Sequence, residues 1–407
     1  MMTLRAILEL LLHYCSFLFL RDKNLAVFGA WGGSRYCDNP KYLMLYFLEK
    51  TNIKCVWVGN VTLYSEMPIH SNFRFVKKGS LLAVCILLRA KYWFFCHSLG
   101  DLINWNISGG ATKVNLWHGI PLKWMGVRTP YAGQKSDSPK SFLKRCRHII
   151  YQRLCPPSNW WTISSSTTMS KIMVESFPEC YTHQRIVERG TPRNDFLIRN
   201  VSNLELIAKL RKKYENLLGI PPNKRIVMYM PTWRMQNNNV FTFCGLDVKC
   251  RQQLLDVLKK NNAILIEKHH HETFRKQDIK MLREDNILVI PPTLQNVIDP
   301  QEFYLITDIL ISDYSSATLD YALLKRPCIH FIYDYEEYIC HDSGLAYDLL
   351  SVATGPCVKS VDELIKVIDN SLIDGWKRPS TQYEDLLAFE HGYSADAIFE
   401  KIVYGGK

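Results

Sequence analysis

The side chains able to do chemistry gather at a few places where an apolar run gives way to a loop. In "NLWHGIPLKWMG", residues 115–126, His118 stands between a short apolar run and a Gly-Ile-Pro turn, with Lys123 two residues beyond the proline. A histidine there suits either a buried core position or a proton acceptor aimed at a substrate, because imidazole titrates near neutrality. In "DILISDYSSATLDYALLKRP", residues 308–327, an apolar strand ends at Asp313, and Ser315 and Ser316 fall where the next helix begins. Hydroxyls and free backbone N–H groups converging at a helix start bind phosphate, although ordinary serine capping uses the same residues. "MYMPTWR" leaves Arg234 at a strand's C-terminal edge, where a guanidinium suits bidentate phosphate binding. "IEKHHH" ends another strand with Lys268, His269, His270 and His271. Side chains alternate along a strand, so only His269 with His271, or His270 alone, can face one ligand. With no carboxylate or cysteine to complete a shell, phosphate contact or acid/base work outranks metal binding. "ERGTPRNDFL", residues 188–197, carries Arg193 and Asp195, by itself a turn with an ion pair.

Short apolar runs that could hold such groups recur along the whole chain. "NLAVFGAWGG", "KCVWVGN", "FRFVKKG", "KYWFFCHS", "KVNLWHG" and "WWTISSS" alternate with helical or turn material, and "RIVMYMPTWR", "AILIEKHHH", "NILVIPP", "DILISDYSS" and "PCIHFIYD" form a second series. This is the rhythm of parallel α/β sheets. A chain of 407 residues suits two domains of roughly 150–200 residues. The spacing predicts an N-terminal helix over 1–24, a first Rossmann-like domain over 25–198, a helical connector over 199–223 ending in Gly219 and Pro221-Pro222, a second Rossmann-like domain over 224–378, and a helical C-terminal segment over 379–407. Two such halves predict a cleft between them, the usual place for a nucleotide-type ligand.

A formal net charge of +11 points to an anionic partner: a phosphorylated metabolite, a nucleic acid or a membrane face. No aromatic-interleaved basic signature of RNA or DNA binding is present. Thirteen cysteines without C-x-x-C pairs or a secretory cleavage pattern read as reduced thiols of a cytoplasmic protein. In "MMTLRAILELLLHYCSFLFLRDK", Arg5, Glu9, His13 and Ser16 mark a narrow polar stripe on an apolar helix. Such a helix lies in a membrane interface or packs against the protein itself. The segment 138–154 sets Lys140, Lys144 and Arg147 on one helical face, which is either simply solvated or placed against lipid headgroups or a lipid-linked pyrophosphate.

The ordered set "LWHGIPLK", "ISSS" with "ESF", "GTPRNDFL", "YMPTWR", "LIEKHH", "LISDYSSATLDYALLKRPCIHFIYDYEEY", "GLAYDL" and "GPCVKSVDELIKVI" resembles the CDP-glycerol glycerophosphotransferases over roughly residues 25–405. These are the teichoic-acid primases and polymerases and their capsule-building relatives. The resemblance implies an α/β, GT-B-like pair of Rossmann-like domains facing a cleft. A CDP-glycerol or CDP-ribitol donor would sit mainly on the C-terminal one. Polyol phosphate would pass to a hydroxyl of a lipid-linked or polysaccharide acceptor, with release of CMP. It matches His118 to a histidine proposed as catalytic base and His270 to a second active-site histidine. Arg234, Ser315 and Ser316 match the donor phosphate site, joined by Lys268 and Asp313 as donor-side candidates. Lys123, Arg193 and Asp195 are further candidates. No cofactor or metal ligand is implied, and a divalent cation is left open. The expected setting is cytoplasmic, peripheral on an anionic inner membrane face, without nucleic acid. The chain departs from the family at Ser343-Gly344, where Arg-Gly is common, and at His270-His271, where His-Pro is common. Both departures bear on the polyol more than on the reaction. A sugar-nucleotide glycosyltransferase on the same architecture is the alternative enzyme, and a basic membrane- or nucleic-acid-binding adaptor the alternative of another class.

Overall fold

The computed structural model describes residues 4–129, 160–232, 234, 240–269, 273, 283–284, 286–295, 297–341, 344–373, 376, 379 and 381–405. The chain divides into two compact units: residues 1–118, 126–195 and 388–407 form the first, and 119–125 and 196–387 the second.

Among the described residues, the first unit is built on a seven-stranded sheet: β1 (Asp22–Phe28), β2 (Lys54–Gly59), β3 (Phe73–Lys77), β4 (Ala90–Phe95), β5 (Thr112–Asn115), β6 (Trp160–Ser164) and β7 (Ile186–Glu188). Its spatial order is β3-β2-β1-β4-β5-β6-β7, and every pairing is parallel. The central strands β2 and β4 and the end of β1 read as apolar runs because both faces of the sheet are covered. Ala26, Phe28, Tyr92 and Phe94 point into one core, while Val27, Trp93 and Phe95 point into another. That two-residue alternation is the pleat itself.

The second sheet contains β8 (Arg225–Tyr229), β9 (Ala263–Glu267), β10 (Arg283–Glu284), β11 (Ile287–Val289), β12 (Ile309–Ser312), β13 (Cys328–Phe331) and β14 (Cys357–Val358). The order is β10-β11-β9-β8-β12-β13-β14, parallel except for the β10–β11 pair. Ile226, Met228 and Leu310 face one core, and Val227, Tyr229, Ile309 and Ile311 the other.

The strand order reverses direction between β1 and β4 in the first sheet and between β8 and β12 in the second. In open α/β sheets the loops leaving the carboxyl ends at such a point splay apart and leave a crevice for ligands.

Two segments sit elsewhere than their sequence suggests. Residues 199–223, expected as a connector, pack within the second unit: the helix Leu204–Leu218 buries Leu210, Tyr214 and Leu218 in its core. It stops at Gly219, whose φ of 64° is accessible to glycine at little cost and whose N–H caps Glu215 O. The C-terminal residues rejoin the first unit from 388 onward. There the Glu390 carboxylate accepts from Thr191 N and Oγ1 and Asn194 Nδ2, and the Tyr92 hydroxyl donates to Val403 O.

The N-terminal helix, Leu4–Cys15, and the turn after it face His13 and Ser16 of the polar stripe inward. His13 and Ser16 are buried, with His13 Nδ1 3.1 Å from Asn106 Oδ1 and Ser16 Oγ accepting from Gly109 N. Arg21 fastens the following turn through carbonyls of Leu87, Ala90, Ile107 and Gly109. The buried polar groups of this edge find the partners that burial requires, and the apolar edge is left outside. Ile7, Leu8, Leu11, Tyr14, Phe17, Leu18 and Leu20 are exposed, Leu18 at 83% and Leu20 at 92%. Among the described residues no helix is long and apolar enough to cross a membrane.

Candidate active site

His118 lies just beyond β5, in a loop that departs from the strand with Trp117 at φ 55°. A tryptophan rarely adopts this left-handed conformation, and two asparagines hold it. Asn115 Oδ1 accepts from Trp117 N at 3.0 Å, and Asn39 Nδ2 donates to the carbonyls of Leu116 and Trp117 at 2.9 and 3.0 Å. His118 Nδ1 lies 3.2 Å from Cys96 O. Only a protonated Nδ1 can donate to a carbonyl, so the ring carries its proton there and presents Nε2 as the acceptor.

Burial and then the neighbouring His97 push the His118 pKa down to about 4, against the opposing pull of Asp38. The ring is therefore neutral at physiological pH, the state a general base requires. His97 lies flat against it, with ring centroids 4.0 Å apart and planes 7° from parallel, and Trp117 stacks at 4.8 Å. Trp31 meets both histidines edge-on, His97 at 4.4 Å and His118 at 5.9 Å.

Beneath this aromatic group is a buried ion pair. Arg193 Nη1 donates to Asp38 Oδ1 at 3.0 Å and to His118 O at 2.7 Å, and its backbone N donates to Asn39 Oδ1. Asp38 also accepts from Trp31 Nε1. Burial pushes the Asp38 carboxyl up, but Arg193 and His118 more than offset it and the net direction is downward. Arg193 thus holds the histidine's backbone from below. Asp195, its neighbour in the helix Pro192–Asn200, turns the other way and accepts from Ser394 N and Ala395 N, a structural duty.

The loops after β1 and β4 are tied together by Asp101, whose carboxylate accepts from Gly32 N, Cys96 N and His97 N at 2.8, 3.0 and 2.8 Å. Among the described residues, Cys96, His97 and Asp101 are the trio close enough to share a metal ion. The donor set fits one poorly: the carboxylate is already occupied by three N–H groups, and burial holds the Cys96 thiol well above its ordinary pKa, away from the thiolate a metal needs.

In the second unit the switch-point loops carry a second buried charge cluster. Asp313, at the end of β12, accepts from Thr232 N, Tyr314 N and Arg234 Nη2 at 2.8, 2.7 and 2.9 Å. Arg234 is 2% exposed; it also binds both oxygens of Asp334, at 2.9 and 3.1 Å, and the Thr232 carbonyl. Its guanidinium lies 5.1 Å from the Tyr314 ring and 4.8 Å from the Tyr338 ring. Burial pushes the Asp313 carboxyl up, and Arg234 and Thr232 bring it net below the usual range. Sequence reasoning aims Arg234 directly at phosphate. Instead its N–H groups are used inside the protein, locking the end of β8 to the end of β12.

Ser315 and Ser316 follow directly. Ser315 Oγ accepts from Ala317 N at 3.2 Å, whereas Ser316, half-buried at the start of the helix Ala317–Ala322, makes no side-chain capping bond. His330 fixes this turn from behind, donating from Nδ1 to Asp313 O at 2.9 Å and accepting from Thr354 N. Lys123 reaches the same unit: its backbone bridges to Leu345 and its Nζ lies 5.3 Å from the Tyr338 ring. Lys268 is buried at the end of β9, with its backbone N donating to Tyr229 O at 2.8 Å, a bond that continues the β8–β9 pairing past the strand end. His269 is committed to Glu267 at 2.8 Å, and Glu267 also accepts from Thr242 Oγ1 and Phe243 N, so this histidine serves the interior. His270 and the basic segment 138–154 lie outside the described residues.

The structure therefore brings His118 and Arg193 together in the first unit, and Arg234, Asp313, Ser315 and Ser316 in the second. Sequence reasoning missed Trp31, Asp38, His97, Asp101 and Asn115. The run "GAWGGSRYCDN" after β1 reads as a glycine-containing loop leading to a helix that Asp38 or Asn39 could cap, and its nearness to the loop after β4 follows from a strand order that local sequence does not encode.

Comparison with known proteins follows the same lines. The sequence profile described as CDP-Glycerol:Poly(glycerophosphate) glycerophosphotransferase matches residues 12–404. A teichoic acid glycerol-phosphate transferase of Staphylococcus aureus is 26% identical, the match covering 94% of each chain. A teichoic acid poly(glycerol phosphate) polymerase of Bacillus spizizenii is 29% identical over 94% of this chain and 93% of its own. Among solved structures, the wall teichoic acid polymerase TagF superposes with a TM-score of 0.74 at 23% identity, over 99% of this chain and 96% of that one, which shows the shared GT-B-like fold.

Proposed function

The chain belongs to the CDP-glycerol:poly(glycerophosphate) glycerophosphotransferase family, and from that premise we propose that it moves glycerol phosphate, or a related polyol phosphate, from a CDP-activated donor to an acceptor hydroxyl with release of CMP. The acceptor is a lipid-linked or polysaccharide teichoic-acid-like or capsule precursor. The observation that carries the reading is His118: a neutral imidazole whose Nδ1 proton is held by Cys96 O, leaving Nε2 to take the proton of the attacking hydroxyl. As that oxygen bonds to the donor's polyol-bearing phosphorus, the pyrophosphate P–O bond breaks and its electron pair leaves with CMP.

The donor's phosphates are assigned to the β8–β12 switch point, where Ser315, Ser316 and the backbone beside them offer hydrogen-bond donors and the Arg234–Asp313 pair sets the loop shape. Lys268 remains a donor-side candidate, Lys123 a further active-site candidate, and His270 a second acid/base candidate. Arg193 positions His118, and Asp195 fixes the segment that follows Tyr393.

The test is direct. Purified protein is given CDP-glycerol or CDP-ribitol with a hydroxyl acceptor, and products are read by mass. CMP together with a polyol-phosphate adduct is expected. Nucleoside diphosphate with sugar transfer from a sugar nucleotide would instead establish the glycosyltransferase alternative.

A second proposal concerns the surface on which the enzyme works. The outward apolar edge of the N-terminal helix and its turn, Leu11, Phe17, Leu18 and Leu20, supports peripheral attachment to an anionic membrane, with Arg21, Lys23 and Lys91 clustered close by. Leu18→Glu with Leu20→Glu should release the protein from anionic vesicles in a sedimentation assay while leaving donor binding intact. Equal sedimentation of variant and wild type would reject this.

A further inference from the structure

His118 does not stand alone, and its closest aromatic neighbour is another histidine with no role assigned above. We infer that His97 is a positioning residue for His118, its ring lying flat against the His118 ring and fixing the plane in which Nε2 meets the acceptor hydroxyl. The inference rests on the base reading of His118 and deepens it.

Three features set His97 apart from a side chain that merely fills space. Its backbone is pinned at both polar ends: the N–H donates to Asp101 Oδ2 at 2.8 Å, and the carbonyl accepts from Asn115 Nδ2, the side chain that also braces the His118 loop. Its ring is pinned as well, with Nδ1 3.1 Å from Cys96 Sγ, and Trp31 edge-on at 4.4 Å. The Cys96 thiol, kept protonated by burial, donates to Nδ1, which directs the His97 proton to Nε2. Finally, the carbonyl that accepts from His118 Nδ1 belongs to Cys96, the neighbour of His97 in the chain, so one short loop sets both the tautomer and the ring plane of the base.

The stack also has an electrostatic consequence. Two imidazoles 4.0 Å apart repel when both are protonated to imidazolium, so a positive charge on His97 opposes one on His118. The charged and titratable groups facing the pair are Asp38 and Arg193 below, Asp101 and Cys96 on the His97 loop, Cys37 beside Asp38, and Arg35, whose guanidinium lies 5.1 Å from the Trp31 ring. Asp38 pulls a proton toward His118, and His97 pushes it away.

His97→Ala and His97→Phe separate these contributions. His97→Ala removes the stacked ring and should lower kcat roughly ten- to a hundredfold with the donor KM unchanged. His97→Phe keeps a flat ring without its charge; it should recover most of that loss, within about fivefold of wild type, and move the acid limb of the kcat/KM profile up by about one pH unit. Histidine side-chain NMR of the unliganded protein gives an independent readout, because the His118 resonance should titrate at higher pH in His97→Phe than in wild type. An unchanged pH profile together with an unchanged His118 titration in both variants overturns the inference, as does an Ala variant with wild-type kcat. His118→Ala run in parallel keeps the two readings apart: full activity there defeats the base assignment, whatever the His97 variants do.

Discussion

Replacing Arg234 by methionine discriminates a ligand-binding arginine from a structural one. The side chain is almost fully buried between Asp313, 0% exposed, and Asp334. Methionine fills much of the same space but leaves the Asp313 carboxylate, among the described residues, facing the N–H groups of Thr232 and Tyr314. Breaking a buried pair by removing one partner costs about 3–5 kcal/mol. For a unit of this size each kcal/mol is worth roughly 2–4 °C, so the transition of the second unit should fall by about 6–20 °C. Amide exchange at Thr232 and Tyr314 should accelerate with it, since the ends of β8 and β12 lose their clamp.

The pH dependence supplies the sign. In the wild type Asp313 is depressed by Arg234, so its contribution is present above the unfolded carboxylate pKa of about 3.9 and is lost as pH falls through the lower folded value. Without Arg234, burial is opposed only by the Thr232 and Tyr314 N–H groups, and the folded value moves up from its wild-type position. The variant's penalty then appears at neutral pH and shrinks as the solution is acidified and Asp313 takes up a proton. A direct phosphate ligand behaves differently: its loss weakens donor binding by about 1.5–3 kcal/mol, with little change in unfolding. An unshifted thermal transition in Arg234→Met, with donor affinity reduced by that amount, would refute the clamp.

His118→Ala should lower single-turnover transfer by roughly a hundredfold or more while CDP-glycerol affinity, measured by calorimetry, stays near wild type. Because the His118 pKa is pushed down to about 4, kcat/KM should hold its level through about pH 6 and fall only as pH drops through about 4; an acid limb near the ordinary histidine value of about 6.5 would contradict the desolvated, stacked environment. Ser316→Ala should raise the donor dissociation constant several-fold and leave the unfolding midpoint unchanged, as its hydroxyl caps nothing. Glu390→Ala strands Thr191 and Asn194 and should destabilise the first unit by about 1–3 kcal/mol in urea unfolding, whereas Glu390→Gln should cost less.

Much of the fold was legible because the strands are buried on both faces. Runs such as "YWFF" and "DILIS" have no other economical place than the centre of a parallel sheet. The residues at their C-terminal ends were legible for the same reason: His118, Asp313 and Ser315 follow strands whose ends local sequence reveals. What could not be read was which strand ends are neighbours. Asp38 meets Arg193 across 155 positions of sequence, and Thr232 meets Asp313 across 81. Composition and periodicity carry no information at that separation. The orientation of the N-terminal helix was hidden differently. Its polar stripe fits either a membrane interface or packing against the protein, and the partners that decide for His13 and Ser16 wait in the backbone and side chains of residues 106–109, which nothing in the helix itself announces.

The return of residues 388–405 to the first unit has a consequence for biogenesis. A ribosome delivers this chain from the N-terminus, and domains generally fold as they emerge. The first unit cannot do so completely. When residues 1–195 leave the exit tunnel, the Asp195 carboxylate lacks the Ser394 and Ala395 amides, and Thr191 and Asn194 lack Glu390. Ala395, Ile398, Ile402 and Val403 are likewise absent from the core that holds Phe28, Phe47 and Phe94. The half bearing His118 therefore waits, partly open, while the whole of 196–387 is translated. Nascent chains stalled before residue 388 should expose that apolar core to chaperones, and those released with residues 388–405 complete should not.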